Sequence, residues 1–80
     1  MIRVQVLLFG DLRRYLPAGS EGRDTWLELV PGTTIQKVLD QLSLPEDVPK
    51  IYVVNHVKQT EGAALEHGDR LCIFPPMTGG

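Results

Sequence analysis

The sequence predicts an α+β domain in which a mixed β-sheet packs against a single main helix. Alternating apolar side chains run through residues 2–9 and again through residues 70–74, as in strands that bury one face. Between these two segments, a capping motif and an apolar stripe predict an amphipathic helix that begins near Thr33. The chain has 80 residues, which predicts one domain with a single modest core.

The first strand is predicted from an apolar row at alternate positions, formed by Ile2, Val4, Val6 and Leu8. Gly10 breaks this strand, and Asp11 is predicted to cap a short helix over residues 12–16. Residues 17–24 are rich in glycine, serine and charge, so we expect an exposed loop there.

A second strand is predicted over residues 25–30, with Leu27 and Leu29 on the buried side. Trp26 has the opposite parity, which leaves its burial open. Thr33 and Gln36 fit a capping box at the start of the main helix.

That helix carries one continuous apolar stripe, which predicts the face that packs on the sheet. The stripe consists of Ile35, Val38, Leu39 and Leu42.

The second half of the chain is predicted to hold three more strands, over residues 50–54, 57–59 and 70–74. Asn55-His56 is expected to form a tight turn, and Leu65 is expected to anchor an irregular segment to the core. This order of elements, with strands at both ends, predicts a β-grasp arrangement. In it the first and last strands lie side by side and parallel.

Composition narrows the classes of function. Hydrophobic residues make up 42% of the chain and charged residues 22%, as in soluble globular proteins, and the net charge of -2 argues against a nucleic-acid partner. No apolar run is long enough to span a membrane, and the first residues lack the pattern of a signal peptide. One cysteine allows no internal disulfide framework, so we expect a cytoplasmic protein.

The last seven residues form the most informative motif. Two prolines end the final strand because they fix φ and remove backbone donors, and two glycines then give a tip without Cβ atoms. A stiff spacer with a slim tip is suited to entering another protein's active site. The tail consists of Phe74, Pro75, Pro76, Met77, Thr78, Gly79 and Gly80. We therefore expect a β-grasp domain over residues 1–75 and a flexible functional tail over residues 76–80.

Over its whole length the chain resembles the MoaD/ThiS family of ubiquitin-like proteins, on the MoaD branch of small molybdopterin synthase subunits. The similar segments are residues 1–4, 9–16, the helix from Thr33, 53–55 and 68–80. The most specific feature of this resemblance is the motif Phe-Pro-Pro-x-x-Gly-Gly at the end of so short a chain. Thiazole-pathway carriers also end in Gly-Gly but usually lack the two prolines. Residues 17–24 and 60–67 match no signature of the family.

This resemblance implies a sulfur carrier and not an enzyme. An adenylyltransferase related to ubiquitin-activating enzymes would use ATP to activate the carboxylate of Gly80, and sulfur from a sulfurtransferase would then replace AMP to leave a thiocarboxylate. A larger, MoaE-like synthase subunit would take in the tail and supply the catalytic side chains. The resemblance implies no cofactor bound by this chain itself.

The partner-binding surface is predicted from strand parity. If the first and last strands are neighbours, Leu7, Phe9, Cys72 and Phe74 share the sheet face opposite the main helix, and an exposed apolar patch usually marks an interface. Alternatively, the short helix or residues 60–67 cover these side chains. We predict that Leu7, Phe9 and Phe74 contact the partner together with tail residues 75–79.

The remaining candidate residues have simpler interpretations. Cys72 alternates within a strand and is predicted to be a small apolar filler. His56 and His67 lie far apart, and no spacing of Cys or His fits a metal site, so none is assigned. Arg13 and Arg14 are predicted to lie on a solvated face of the short helix. Alternatively, they form ion pairs with an acidic partner.

Three functional classes remain open at this point. The first is a sulfur carrier for molybdopterin or its tungsten equivalent. The second is a ubiquitin-like protein modifier, or a carrier for another sulfur-containing metabolite such as the thiazole of thiamine, acting through the same activated Gly80. The third is a β-grasp interaction module whose tail does no chemistry. The two prolines favour the first class over the third.

Overall fold

A computed structural model describes residues 1–17, 22 and 24–75 of the chain. Within these ranges the sheet has five strands: β1 (Ile2–Leu8), β2 (Asp24–Leu29), β3 (Ile51–Val54), β4 (Val57–Gln59) and β5 (Arg70–Phe74). A 3₁₀ helix (Gly10–Tyr15) follows β1, and the helix α1 (Ile35–Gln41) lies between β2 and β3. The predictions for tail residues 76–80 fall outside the described residues.

The strand order confirms the predicted β-grasp arrangement. The sheet runs β2-β1-β5-β3-β4, so the first and last strands are neighbours at its centre. They pair in parallel, with Val6 opposite Leu71 and Leu8 opposite Ile73, whereas the other three pairings are antiparallel. The chain therefore enters and leaves the domain on adjacent strands.

The core lies between one face of the sheet and α1. The predicted stripe of α1 is buried, with exposed fractions of 0% for Ile35 and Val38. Its partners on the sheet are the alternating residues of the three longest strands, and they confirm the parity predicted for each: Val4, Val6, Leu8, Leu27, Leu29, Leu71 and Ile73. The described part of the chain thus forms one apolar core, to which Leu12, Leu44, Tyr52 and Leu65 also belong.

Both predicted helix caps were wrong in detail. The N-cap of α1 is Thr34, whose side chain accepts a hydrogen bond from the backbone N–H of Lys37, while the Thr33 hydroxyl donates to the carbonyl of Val30 at 2.6 Å. The capping box is absent because the helix begins one residue later than the Thr33–Gln36 spacing indicated. Asp11 lies inside the first turn of the 3₁₀ helix, which begins after Phe9 without a side-chain cap.

The irregular segment before β5 completes the start of α1. The carbonyl oxygens of Glu61 and Ala63 accept hydrogen bonds from the backbone N–H groups of Gln36 and Ile35, at 2.8 and 3.0 Å. These donors belong to the first helical turn and have no partner within the helix. Leu65, 2% exposed, fixes the segment to the core as predicted.

Candidate functional site

The sheet face opposite α1 has a polar half along β1 and β2. The Gln5 amide donates to the Asp24 carboxylate at 2.7 Å, and the Arg3 guanidinium lies 5.2 Å from the ring centre of Trp26. Trp26 is 50% exposed, which settles the burial that its parity left open. Side-chain contacts within the chain therefore occupy much of this half.

The other half of the same face is apolar. Cys72 lies opposite Val53, and Phe74 lies opposite Ile51, because β3 and β5 pair with this register. We call this surface the apolar half; its members are Phe9, Ile51, Val53, Cys72 and Phe74, all partly exposed. An apolar surface on the uncovered side of a small domain is typical of a site that contacts another protein.

Leu7 does not contribute to this surface as predicted. It is on the predicted face, but only 5% of its side chain is exposed. Its cross-strand neighbours are Asp24 on one side and Cys72 on the other, and Phe9 follows on the same face. Little of the Leu7 side chain is therefore available to a partner, so the expected exposure of Leu7 was wrong.

The point where the tail leaves the sheet is built from four residues, Phe9, Gly10, Phe74 and Pro75, which we call the tail root. The rings of Phe9 and Phe74 stack with their centres 4.5 Å apart and their planes 13° from parallel. The Phe9 backbone N–H donates to the carbonyl of Ile73 at 3.2 Å. Ring stacking and a backbone hydrogen bond thus join the end of β1 to the end of β5.

Gly10 allows Pro75 to approach the end of β1. Its φ is +59°, and a Cβ placed there would lie 2.9 Å from Cγ of Pro75. Contacts this short do not occur between a real Cβ and another carbon, so a larger residue would displace the proline. Gly10 therefore leaves the space that Pro75 occupies beside the end of β1.

A small depression adjoins the tail root at the β3–β4 end of the apolar half. It encloses about 290 Å³ and is lined by Val53, Asn55, His56, Arg70, Cys72 and Phe74. The thiol of Cys72 is free and partly exposed, and its role as an apolar filler stays a prediction. His56 and His67 are both exposed.

Tyr52 is buried in the core; burial, and secondarily the charge of Glu61, raise the pKa of its phenol above 10.0. Among the described residues, no three His, Cys, Asp or Glu side chains are placed to hold a metal ion. No helix in the described ranges is long and apolar enough to cross a membrane.

Sequence reasoning found part of this site and missed part. It placed Phe9, Cys72 and Phe74 on one face, and the structure brings them together there. It missed Ile51 and Val53, although the alternation of β3 around Tyr52 was a usable signal. The predicted contacts of Pro76, Met77, Thr78, Gly79 and Gly80 lie outside the described residues and stay predictions.

Comparison with known proteins identifies what the chain is similar to. The profile described as the ThiS family matches residues 6–80. The molybdopterin synthase sulfur carrier subunit of Arabidopsis thaliana is 34% identical over 85 residues, which cover 99% of this chain and 84% of the plant protein.

Solved structures agree on the fold. Small archaeal modifier protein 1 of Haloferax volcanii superposes with a TM-score of 0.74 at 27% identity, covering 98% of this chain and 99% of that one. A putative molybdopterin converting factor subunit 1 from Pyrococcus furiosus gives a TM-score of 0.75 at 21% identity, covering 96% of this chain and all of the other. The second likeness bears on the fold alone.

Proposed function

Because the chain belongs to the ThiS family, we propose that it is a cytoplasmic sulfur carrier that donates sulfur from a thiocarboxylate at Gly80 during molybdopterin synthesis. The similarity to the plant carrier subunit spans nearly the whole chain, so it includes the domain as well as the tail. The observation that carries the proposal is the tail root, which holds the end of β5 beside a partly exposed apolar surface and leads directly into Pro76.

The proposed chemistry begins with activation of a poor electrophile. The carboxylate of Gly80 attacks the α-phosphate of ATP on an adenylyltransferase, and pyrophosphate leaves. A persulfide held by a sulfurtransferase then attacks the carbonyl carbon of Gly80 and displaces AMP, which leaves an acyl disulfide that joins Gly80 to the sulfurtransferase. A second thiol attacks the sulfurtransferase sulfur of this bond, forms a disulfide with it and releases the thiocarboxylate. This group is ionised and nucleophilic near neutral pH for the same reason that a thiolate is. The chain itself needs no cofactor for these steps.

The domain contributes positioning and not catalysis. The larger synthase subunit would contact the apolar half while residues 76–80 reach its active site. Glycines at 79 and 80 suit this role, because a Cβ at either position would crowd a narrow channel and the carbonyl that is attacked. Catalytic side chains belong to the partner, and this chain acts as its cosubstrate.

Reconstitution tests the proposal. The full chain is incubated with the activating enzyme, ATP and a sulfur donor, and then with the larger subunit and the pterin precursor. We expect molybdopterin to form with the wild type and not with a chain that lacks Gly79-Gly80. Equal product with the truncated chain would exclude the proposed role of the tail.

A second candidate function is protein modification. Its support is the 27% identity to an archaeal protein named a modifier, together with the Gly79-Gly80 end of this chain. The activated carbonyl of Gly80 would then be attacked by a lysine amine instead of a sulfur nucleophile. Mass spectrometry of tagged chain from its own cells distinguishes the two, since only modification leaves Gly80 in an isopeptide bond to a lysine.

A further inference from the structure

The polar half of the sheet face opposite α1 is built from two cross-strand pairs. In the antiparallel register of β1 and β2, Arg3 lies opposite Glu28 and Gln5 lies opposite Trp26. Arg3, Trp26 and Glu28 are exposed, and Gln5 is partly exposed. One pair thus places a positive charge beside a negative one, and the other places an indole beside an amide.

The two charges of the first pair do not form an ion pair within the chain. The Arg3 guanidinium lies over the ring of Trp26 instead, 5.2 Å from its centre. The Glu28 side chain has no hydrogen bond or ion pair with any described residue. The Glu28 carboxylate is therefore available to a cationic group from another molecule.

Exposed apolar side chains adjoin these charges. Among the described residues, Met1 is 75% exposed, Val30 63% and Trp26 50%. Met1 and Val30 come just beyond the paired ends of β1 and β2, and they line one depression together with Glu28. Exposed apolar groups beside unpaired charge are typical of a surface that contacts another protein.

The polar half is complementary to itself. Suppose that a second copy packs face to face on the first, with a twofold axis between β1 and β2 and parallel to both strands. Each β1 then lies across from β2 of the other copy, and the members of a cross-strand pair meet at the same level. Arg3 of each copy faces Glu28 of the other. Packed sheets lie about 10 Å apart, a gap that these two long side chains span together.

The other charges of this half fit the same arrangement. Arg70 of β5 lies beside Gln5, at the level of Trp26. In the paired form it reaches the outer edge of β2 in the second copy, between Asp24 and Glu28. A second copy thus supplies an opposite charge to each of these groups, whereas a partner with charge of one sign would meet both signs.

We propose that two copies of this chain pair through the polar half, with Arg3 of each copy on Glu28 of the other. The stacking of Arg3 on Trp26 holds the guanidinium in place before contact, which lowers the entropy cost of pairing. Sheet twist keeps only the central pairs in register, so the contact is smaller than a standard interface. Pairing is therefore weak, with a Kd of about 0.1–1 mM.

The contact lies away from the tail root. Arg3 is at the start of β1, whereas Phe9 follows the end of that strand. The apolar half, on β3 and β5, is not part of the contact. The inference therefore concerns the free chain and does not depend on the proposed function.

Charge exchange at two positions tests the contact. Sedimentation equilibrium of the full wild-type chain, at about 0.02–2 mM to bracket this Kd, should show a mean mass that rises from one copy toward two. Glu28→Arg alone and Arg3→Glu alone each bring like charges together, so each variant should stay monomeric. An equimolar mixture of the two variants should associate again, because every Arg3–Glu28 contact then joins opposite charges.

Lys58→Glu is the matched control. Lys58 is exposed on β4, at the other edge of the same sheet face, so its replacement should leave Kd at the wild-type value. A second test needs no variant: raising NaCl from about 0.02 to 0.5 M should raise the wild-type Kd at least about threefold, since exposed charges are screened. Circular dichroism verifies that each variant is folded.

Each outcome decides the matter. A wild type that stays monomeric at about 2 mM overturns the proposal and leaves the carrier role untouched. A mixture that stays monomeric, single variants that associate like the wild type, or a Kd that salt does not change would show that Arg3 and Glu28 do not meet across two copies. Loss of association in both single variants, with recovery in the mixture, supports the proposal.

Discussion

Phe9 and Phe74 stack face to face at the tail root, with ring centres 4.5 Å apart and planes 13° from parallel. They extend from the ends of β1 and β5, the two strands that pair in parallel at the centre of the sheet. The first turn after β1 and the last residue of the sheet are thereby joined. The end of β5 is thus coupled to the end of β1 by side chains as well as by the backbone.

A double-mutant cycle measures this coupling. We expect Phe9→Ala and Phe74→Ala each to lower the free energy of unfolding, and the pair to show a coupling energy of about 0.5–1.5 kcal/mol beyond the lost area. Urea unfolding of the wild type, the two single variants and the double variant gives this value. Additive effects would mean that the two rings do not stabilise each other.

Gly10 should be less replaceable than other glycines with positive φ. An alanine at φ +59° costs about 1–2 kcal/mol from backbone crowding alone, and its Cβ would also meet Pro75 at 2.9 Å. Urea unfolding should therefore show a larger loss for Gly10→Ala than for Gly68→Ala.

Gly68 is the matched control because its φ is +87° and a Cβ there meets nothing within 4 Å. Adding Pro75→Ala to Gly10→Ala should recover the excess loss, since it removes Cγ. A Gly10→Ala loss no larger than that of Gly68→Ala would show that the contact with Pro75 does not constrain the tail root.

Folding stability and sulfur transfer should depend on different parts of the chain. Glycines contribute no side chain to the core, so removal of Gly79-Gly80 should leave the melting temperature unchanged and abolish sulfur transfer. Leu71 is 0% exposed, and Leu71→Ala should lower the free energy of unfolding by about 3–5 kcal/mol. Thermal unfolding of both variants checks this, and a large loss of stability on tail deletion would contradict the separation.

The sequence predicted the parts of the fold that depend on side-chain period. Alternating apolar side chains predicted β1 and β5, and the apolar stripe from Ile35 to Leu42 predicted α1. Both patterns arise because each element buries one face. The Asn55-His56 turn was also predictable, since few residues accept positive φ there. The sheet order then followed from having strands at both ends and one helix between them.

Features that depend on packing between distant segments were not predictable. The start of α1 lies at Thr34 because the carbonyls of Glu61 and Ala63 satisfy its first donors, 25 or more residues away in sequence. The burial of Leu7 depends on neighbours from β2 and β5. Sequence parity placed Leu7 on the correct face but could not show how much of its surface the surrounding side chains cover.

Tyr52 should make the domain less stable at alkaline pH. Burial and the charge of Glu61 raise the pKa of its phenol, so the neutral form is favoured in the folded state. This contribution is fully present below the unfolded pKa of about 10 and is lost as pH rises through the higher folded pKa. The free energy of unfolding should therefore decline above about pH 10.

Tyr52→Phe isolates the effect, because lysines titrate in the same range and remain in both proteins. The variant should decline less steeply than the wild type over that range, as measured by urea unfolding at a series of pH values. Curves that run parallel at every pH would mean that the phenol does not ionise differently in the folded and unfolded states.

In the proposed function Gly80 carries sulfur, and the intact mass of the chain tests this most directly. The chain should be recovered from its own cells after deletion of the gene for the larger synthase subunit, so that the loaded form is not consumed. We expect a mass gain equal to replacement of one oxygen by one sulfur, located at Gly80 by fragmentation. An entirely unmodified chain from those cells would contradict the carrier role.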